Sequence, residues 1–352
     1  MSKLVVTGGC GFLGLHICNR LKDKYEKILV IDIDEFNKDE YPQNVEYRKL
    51  DVRNFDGLKQ AFSGYDLVVN AAAALPLWSP KDIHTVNVDG MRNVLEAAKI
   101  NGIKRVVQVS STAVYGVPEK HPLYENDPLI GVGPYGETKI IAEKICEEYR
   151  KKGMIVPVVR PKTFIGTYRL GVFQILYDWV ESGALIPVIG NGKNRYQLLE
   201  VEDLVDAIYL MLSKPDDVVN DTFNVGAKNT KPIKEYLTEF FNRVGSKSKV
   251  MTTPAPVLIF FLEIFWTLRI SPLYKWVYGT AHKDSFVSIE KAEKKLGWQP
   301  KYTEADALVH SYEWYIKNKE EIKNAKGITH RVAWKQGILG FFKNFMILLN
   351  KK

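Results

Sequence analysis

The sequence is poor in cysteine and has neither regularly spaced histidines nor a long uninterrupted apolar run. Three cysteines occur among its 352 residues, at positions 10, 18 and 146, and no two of them form a CxxC pair. This pattern argues against a disulfide framework and favours reduced thiols in the cytoplasm. The six histidines lack the spacing of metal ligands, so no metal site is predicted.

No apolar leader precedes the first predicted strand, which again favours a cytoplasmic protein. The net charge of +8 is unevenly distributed, because residues 314–352 hold nine Lys or Arg and two Glu. The rest of the chain is therefore nearly neutral, which argues against a nucleic-acid groove across the main body. We expect no nucleic-acid partner.

Short apolar segments alternate with helical stretches through the first 160 residues and again after residue 200. The predicted strands are residues 4–7, 28–32, 45–49, 67–70, 105–110, 155–160 and 222–225. Apolar strands that alternate with helices predict an α/β fold with a doubly wound parallel sheet of the Rossmann type.

A glycine-rich loop directly follows the first predicted strand. Gly8, Gly11 and Gly14 are three residues apart, and a helix is predicted to begin at about Gly11. The first glycine permits a tight turn, the second a close approach to a pyrophosphate, and the third close packing of helix and strand. The free N–H groups of the helix N-terminus attract phosphates, so the loop predicts dinucleotide binding.

The second predicted strand ends at Asp32, eighteen residues after Gly14. A carboxylate at this position accepts hydrogen bonds from both ribose hydroxyls and repels a 2′-phosphate. Asp34 and Glu35 add negative charge. We therefore predict NAD as the cofactor rather than NADP.

Tyr135 and Lys139 are four residues apart in a helical stretch and share one helix face. The ammonium would favour the tyrosine phenolate, which is a stronger base than the neutral phenol. Hydroxyl groups at Ser110, Ser111 and Thr112 follow the fifth predicted strand, where parallel sheets bind ligands. One of them could bond a substrate oxygen, or each could cap a turn.

These motifs, in this order, resemble the extended short-chain dehydrogenase/reductases. The resemblance covers residues 1–315 and rests on the segments 7–14, 51–52, 70–73, 87–90, 111–116, 135–139, 160–161 and 294–300, with Asp32. The last of these segments, Lys294-Lys295-Leu296-Gly297-Trp298-Gln299-Pro300, is similar to the KxLGWxP signature of that family.

The resemblance implies roles for individual residues. Ser111 would be the catalytic hydroxyl, Tyr135 the base and Lys139 its partner. Asp51 and Val52 would contact the adenine, and Pro161 would lie near the nicotinamide amide. The full set of implied cofactor contacts is Gly8, Gly11, Phe12, Leu13, Gly14, Asp32, Asp51, Val52, Ala71, Ala72, Asn87, Tyr135, Lys139 and Pro161.

The resemblance and the element order together predict a division of the chain. Residues 1–165 would form the NAD-binding domain, rejoined by residues 198–226. Residues 166–197 and 227–315 would form a smaller, mostly helical substrate subdomain. Residues 316–352 would be a basic amphipathic tail, and a homodimer is expected because it is common in the family.

Departures from the family pattern bear on the substrate. Ala113 and Val114 stand where sugar-nucleotide 4,6-dehydratases carry an Asp-Glu pair, which argues against that activity. Tyr196 stands where sugar-nucleotide epimerases place an Arg that clamps the diphosphate. Arg195, Arg169 and Lys283 could rebuild that clamp from different loops, which spacing alone does not decide.

The apolar residues 254–280 resemble the 3β-hydroxysteroid and sterol dehydrogenase branch. They would line an apolar pocket, lie at an interface or fill the subdomain core. The sequence thus favours an NAD-dependent oxidoreductase acting on a secondary alcohol or ketone of a steroid- or lipid-like small molecule. The alternative is an NAD-dependent UDP-sugar 4-epimerase, and a third interpretation is a non-catalytic NAD-binding scaffold.

The segment 337–349 has apolar residues at helical spacing and flanking lysines. It predicts an amphipathic helix that binds the inner face of an anionic membrane peripherally. The alternative is that this helix packs on its own subunit or on a dimer partner.

Overall fold

The computed structural model describes residues 1–76, 78–268, 275–322, 331 and 338–350. These residues form two compact units. The first contains Met1–Lys162, Val201–Gly226 and Val287–Lys301, and the second contains Thr163–Glu200, Ala227–Phe286 and Tyr302–Lys352.

The strands are β1 (Lys3–Thr7), β2 (Lys27–Asp32), β3 (Val45–Lys49), β4 (Leu67–Asn70), β5 (Arg105–Val109), β6 (Val158–Pro161), β7 (Thr163–Ile165), β8 (Ile186–Ile189), β9 (Leu198–Glu200), β10 (Thr222–Val225) and β11 (Val250–Thr253). The helices are α1 (Phe12–Leu21), α2 (Phe55–Ala61), α3 (Pro80–His84), α4 (Gly90–Ile100), α5 (Gly133–Lys151), α6 (Val172–Glu181), α7 (Val201–Ser213), α8 (Asp216–Val219), α9 (Ile233–Arg243), α10 (Ala255–Thr267), α11 (Lys275–Thr280), α12 (Glu304–Ile322) and α13 (Ile338–Asn350).

The first unit is built on a seven-stranded parallel sheet with the order β10-β6-β5-β4-β1-β2-β3. Its central strands are apolar and buried because helices cover both faces. Strands β2 and β3 are added on one side of β1, and β4 and the later strands on the other side. The carboxyl ends of β1 and β4 therefore flank a crevice suited to a ligand. The predicted Rossmann-type α/β fold is confirmed, and seven of the strands lie close to their predicted positions.

Residues 287–301 belong to the first unit, not to the second as the sequence predicted. Two sets of contacts hold them there. The buried Trp298 indole donates a hydrogen bond to the Asp203 carbonyl at 2.9 Å. Lys291 and Lys295 both pair with the Asp221 carboxylate, at 2.6 and 2.8 Å. The KxLGWxP segment therefore stabilises the first unit.

The second unit has two small parallel strand pairs, β8 with β11 and β7 with β9. Its core is aromatic: Tyr177 and Phe240 pack edge to face with ring centres 6.4 Å apart. Helix α12 continues to Ile322, and side chains of α13 pack against this core. Apolar burial thus joins these two helices to the second unit, and the description of residues 316–352 as a basic amphipathic tail stays a prediction.

Among the residues that the structure describes, no helix has the length and hydropathy needed to cross a membrane.

Candidate active site

The glycine loop between β1 and α1, with the start of α1, has no room for a side chain at Gly8 or Gly14. Gly8 has φ +69°, and a Cβ there would lie 2.7 Å from the Ala72 nitrogen. A Cβ on Gly14 would lie 2.4 Å from the Gly9 Cα atom. Gly11 precedes Phe12, the first residue of α1, in an extended conformation. The loop therefore brings bare backbone and a helix N-terminus together, which suits a pyrophosphate.

Gly9 is a constrained position that the sequence analysis did not single out. A Cβ there would lie 2.6 Å from the Val30 side chain on β2. The Tyr41 hydroxyl donates a hydrogen bond to the Gly9 carbonyl at 2.9 Å. The doublet Gly8-Gly9 is the sequence signal that could have indicated that Gly9, like Gly8, has no room for a side chain.

Asp32 ends β2 beside the glycine loop. Its carboxylate accepts a hydrogen bond from the Cys10 backbone N–H at 2.8 Å. The other carboxylate oxygen accepts from the Ile33 N–H at 2.7 Å. These bonds fix the negative charge next to the loop, where a ribose would follow the pyrophosphate.

The predicted adenine contacts, Asp51 and Val52, follow β3. Val52 is buried, and a Cβ on Gly90 would lie 2.6 Å from its side chain. Asp51 forms an ion pair with Arg53 at 2.6 Å. Burial would raise the pKa of Asp51, but the hydrogen bonds from Arg53 outweigh it and lower the pKa below its ordinary value. Asp51 is therefore a fixed acceptor at the edge of the crevice.

The segment after β4 is held by side chains of the crevice. The Ala71 N–H donates to the Thr7 carbonyl at 3.1 Å, continuing the pairing of β1 with β4. The Asn87 side chain accepts from the Ala74 N–H at 2.9 Å and donates to the Thr138 hydroxyl at 3.2 Å. Asn87 thus ties this segment to α5, the helix that carries Tyr135.

Tyr135 and Lys139 lie one turn apart near the start of α5. The Lys139 ammonium is 5.7 Å from the centre of the Tyr135 ring and donates to the Val109 carbonyl at 3.0 Å. Lys139 is buried, and burial lowers its pKa to about 8 against the opposing charge of Glu143. A positive charge is therefore held where it can favour a Tyr135 phenolate.

The structure separates the hydroxyls that follow β5. Ser110 is buried and donates to the Glu143 carboxylate. Ser111 is half-buried and starts a short 3₁₀ turn, Thr112–Tyr115, where its hydroxyl accepts from the Ala113 N–H at 3.1 Å. Ser111 is the more accessible of the two serines, as its implied catalytic role requires.

A buried network below α5 was not predicted from the sequence. The Arg160 guanidinium makes several hydrogen bonds with the Glu143 carboxylate and donates to the Tyr115 hydroxyl at 2.7 Å. The Tyr115 hydroxyl donates to the Asn224 side chain at 2.8 Å. Although burial disfavours a charged guanidinium, Glu143 and Tyr115 raise the pKa of Arg160. The network joins β6, β10 and α5, and Glu143 is one turn from Lys139.

Lys162, directly after β6, is a second buried charged residue that the sequence analysis did not predict. It follows Pro161 directly, and its backbone N–H donates to the Val225 carbonyl at 3.0 Å. The side chain is buried, and this burial lowers the pKa of Lys162 to about 7. No periodic or motif signal in the sequence marks a buried lysine here.

In the second unit, two neighbouring segments each carry an exposed cationic residue. The Arg195 carbonyl accepts from the Ser285 N–H at 2.8 Å, and the Arg195 N–H donates to Asp284 at 2.8 Å. The Asn194 side chain donates to the Lys283 carbonyl at 3.1 Å. Arg195 and Lys283, both exposed, therefore lie on neighbouring segments. The Arg169 guanidinium instead lies over the Phe164 and Phe173 rings, 6.0 and 5.7 Å from their centres.

Comparison with known proteins identifies the family. The family model described as the NAD dependent epimerase/dehydratase family matches residues 4–226, more than half of the chain. The chain belongs to the NAD-dependent epimerase/dehydratase family. It is accordingly an enzyme of the extended short-chain dehydrogenase/reductase type, with NAD as cofactor.

Relatives within this family align over most of the chain. An uncharacterized protein of Sinorhizobium fredii is 31% identical over 340 residues, which is 95% of this chain and 84% of that protein. A UDP-glucose 4-epimerase of Cyamopsis tetragonoloba is 26% identical and aligns with 90% of this chain and 95% of its own. The UDP-glucose 4-epimerase structure from Thermotoga maritima shares the fold, with a TM-score of 0.73, 21% identity and coverage of 90% and 99%.

NAD fits the residues of the crevice. The glycine loop with the N-terminus of α1 would hold the pyrophosphate, and the Asp32 carboxylate lies beside the loop. Ala72 and Ser111 follow the neighbouring strands β4 and β5, and Tyr135 lies near the start of α5, so these residues are the candidates for contacts with the nicotinamide half of NAD.

Proposed function

We propose that this enzyme is a UDP-sugar 4-epimerase. The observation that carries the proposal is the pairing of the segments around Arg195 and Lys283 in the second unit. A diphosphate needs paired cationic donors, and the sequence pattern left open whether this chain has them. The alignment with UDP-glucose 4-epimerases over nine-tenths of the chain supports the same reading.

The neighbouring activities of the family fit less well. Ala113 and Val114 occupy the short turn after Ser111, and Val114 is buried. Neither can donate or accept a proton through its side chain. A 4,6-dehydratase needs an acid and a base beyond the tyrosine to eliminate water, so 4-epimerisation is the simpler use of this site.

The residues of the crevice account for the chemistry. In the proposed reaction Tyr135 takes the proton from the sugar 4-hydroxyl, while Ser111 donates a hydrogen bond to the same oxygen. Lys139 keeps Tyr135 anionic between turnovers. Bound NAD supplies reversible acceptance of the hydride from carbon 4. The 4-keto sugar then rotates in the site, so that the hydride returns to the opposite face of carbon 4. Tyr135 returns its proton to the oxygen, and no proton or hydride is gained or lost overall.

The interpretation as a dehydrogenase of apolar alcohols has less support. Under that interpretation, residues 257–278 would enclose an apolar ligand. Helix α10 instead leaves Val257, Phe260 and Phe261 exposed. The relatives reported above also favour the nucleotide-sugar alternative.

Thermal stabilisation tests the proposed substrate class. The full chain with NAD is melted with UDP, UDP-glucose, UDP-glucuronic acid, UDP-N-acetylglucosamine or a hydroxysteroid. We expect stabilisation by every UDP compound and none by the steroid, because binding to the folded state alone raises the melting temperature. Arg195→Ala and Lys283→Ala should each weaken the UDP response.

Lys193→Ala is the matched control, since Lys193 is an exposed lysine two residues from Arg195. It should respond to UDP as the unmodified chain does. A response to the steroid alone would contradict the proposal and restore the apolar-substrate reading.

A further inference from the structure

Exposed large apolar side chains concentrate on two helices of the second unit. Among the residues that the structure describes, every exposed Phe and Trp side chain lies on α10 or α13. Such a concentration is unusual for a monomer surface and marks a site of interaction. Neither helix takes part in the proposed epimerase chemistry.

Four exposed apolar side chains of α10 form one stripe with Leu268, which directly follows the helix, whereas the exposed Trp266 lies outside this stripe. Val257, Phe260, Phe261, Ile264 and Leu268 follow the helical spacing i, i+3, i+4, i+7 and i+11. Phe260 is 60% exposed. The opposite side of the helix carries Leu262, which is buried. The stripe therefore faces away from the core of its own unit.

On α13 a second stripe is formed by Phe341, Phe345 and Leu348, at i, i+4 and i+7. Phe341 is 75% exposed. Phe342 and Met346 lie on the other side of the helix and pack against the aromatic core of the unit. The helix thus has two apolar faces, of which one packs against the core and the other is exposed.

Polar contacts hold α13 in this orientation. Lys343 pairs with Asp178 at 2.7 Å. The Asn350 side chain donates to the Gly183 and Lys247 carbonyls at 2.9 and 2.7 Å. These contacts hold the middle and the C-terminal end of the helix, so the exposed stripe is presented on a fixed support.

Helices α10 and α13 are neighbours in the second unit. The rings of Phe265 on α10 and Phe342 on α13 are in contact, with centres 5.9 Å apart. We call the stripes of α10 and α13 together the apolar face. Trp, Phe and Leu are typical of the apolar face of helices that lie in the membrane–water interface, and the exposed Phe260, Phe261 and Trp266 are of these types.

Charge decides between the occupants of this face. The chain segment 314–352, which includes α13, carries nine Lys or Arg and two Glu. Two of these lysines, Lys319 and Lys343, are paired with Glu181 and Asp178 of the same unit, and the other cations of the segment still leave a positive excess. An anionic surface complements that excess, whereas two copies meeting through this face would bring like charges together. We propose that the apolar face docks on an anionic lipid bilayer, with α10 and α13 lying in the plane of the interface.

Co-sedimentation of the full chain with vesicles tests this proposal. Vesicles of phosphatidylcholine with phosphatidylglycerol should pellet the protein at low salt, and vesicles of phosphatidylcholine alone should pellet much less. Adding 0.5 M salt should reduce binding, roughly as expected for a Debye length near 4 Å. The double variant Phe260→Glu/Phe341→Glu should lose at least tenfold in the bound fraction.

Ile100→Glu is the matched control, because Ile100 is equally an exposed apolar residue but lies at the end of α4 in the first unit. It should bind vesicles as the unmodified chain does. The melting temperature and stabilisation by NAD show whether each variant is folded. The proposal is overturned if the unmodified chain stays in the supernatant with anionic vesicles, or if the double variant binds equally well. It is also overturned if light scattering shows that the double variant only converts a dimer to a monomer.

Discussion

The ammonium of Lys139 lies 5.7 Å from the centre of the Tyr135 ring, one helical turn away on α5. The bond from Lys139 to the Val109 carbonyl fixes this relation to the carboxyl end of β5. Ser111 follows two residues after Val109. One short segment therefore sets the spacing between the three groups that the proposed chemistry needs.

Replacement of Tyr135 by Phe should abolish turnover while NAD binding stays nearly unchanged. The ring remains, but the oxygen that transfers the proton is lost, which typically costs about 10²–10⁴-fold in rate. Steady-state kinetics and NAD titration measure the two effects. Tyr149→Phe is the control, because Tyr149 lies on the same helix and its hydroxyl bonds to Glu96 instead. Activity of Tyr135→Phe close to that of the control would remove Tyr135 from the mechanism.

The chain should bind NAD more tightly than NADP, and Asp32→Asn should narrow that preference. The amide oxygen can still accept from the Cys10 N–H, so the loop is preserved while the negative charge is removed. Isothermal titration with each cofactor measures the ratio of the NAD and NADP dissociation constants. Asp34→Asn should change this affinity ratio much less, since Asp34 lies two residues beyond the end of β2. Equal affinity of the unmodified chain for both cofactors would show that Asp32 does not face the ribose.

Glu143→Gln should destabilise the protein strongly. It would leave the buried Arg160 charge without its carboxylate partner, and breaking a buried pair in this way costs about 3–5 kcal/mol. Urea unfolding measures the loss. Glu148→Gln, on the exposed side of the same helix, breaks only a surface pair with Arg92 and should cost less than about 1 kcal/mol. Similar losses for the two variants would contradict the inferred importance of the network.

Lys162→Met should be more stable than the unmodified chain at pH 6.5, with a difference that shrinks as the pH rises. Burial lowers the pKa of Lys162 to about 7, against 10.5 for the ordinary side chain. Above pH 7 the unfolded state therefore binds the extra proton, so stability rises with pH toward 10.5. Melting temperatures of both proteins from pH 6.5 to 9 test this. A difference that is constant or grows with pH would be the contrary result.

The sheet of the first unit could be predicted because its strands are short apolar runs separated by helices. The glycine loop and Asp32 could be proposed as cofactor-binding residues for a similar reason, since their signal is local in the sequence. The sequence did not predict that Trp298 belongs to the first unit, because its hydrogen-bond partner, Asp203, is 95 residues away in the sequence. No periodicity reports a contact of that kind.

The candidate site was predicted in part. A motif placed Tyr135 and Lys139, but it did not reveal that Ser110 is committed to Glu143 while Ser111 stays accessible. The apolar spacing of α13 predicted a helix and not which of its faces packs on the core. Packing against Phe342 and Met346 decides that question, and it depends on residues distant in sequence.

The fate of the hydrogen on carbon 4 of the sugar tests the central claim most directly. The full chain is incubated with NAD and UDP-glucose carrying deuterium at carbon 4, or with the corresponding labelled UDP-glucuronic acid or UDP-N-acetylglucosamine. The product is analysed by NMR and mass spectrometry. For at least one of these substrates the account predicts the 4-epimer with its deuterium retained and no build-up of reduced NAD at 340 nm. Stoichiometric accumulation of reduced NAD with a ketone product, or turnover of a hydroxysteroid with none of the UDP-sugars converted, would contradict it.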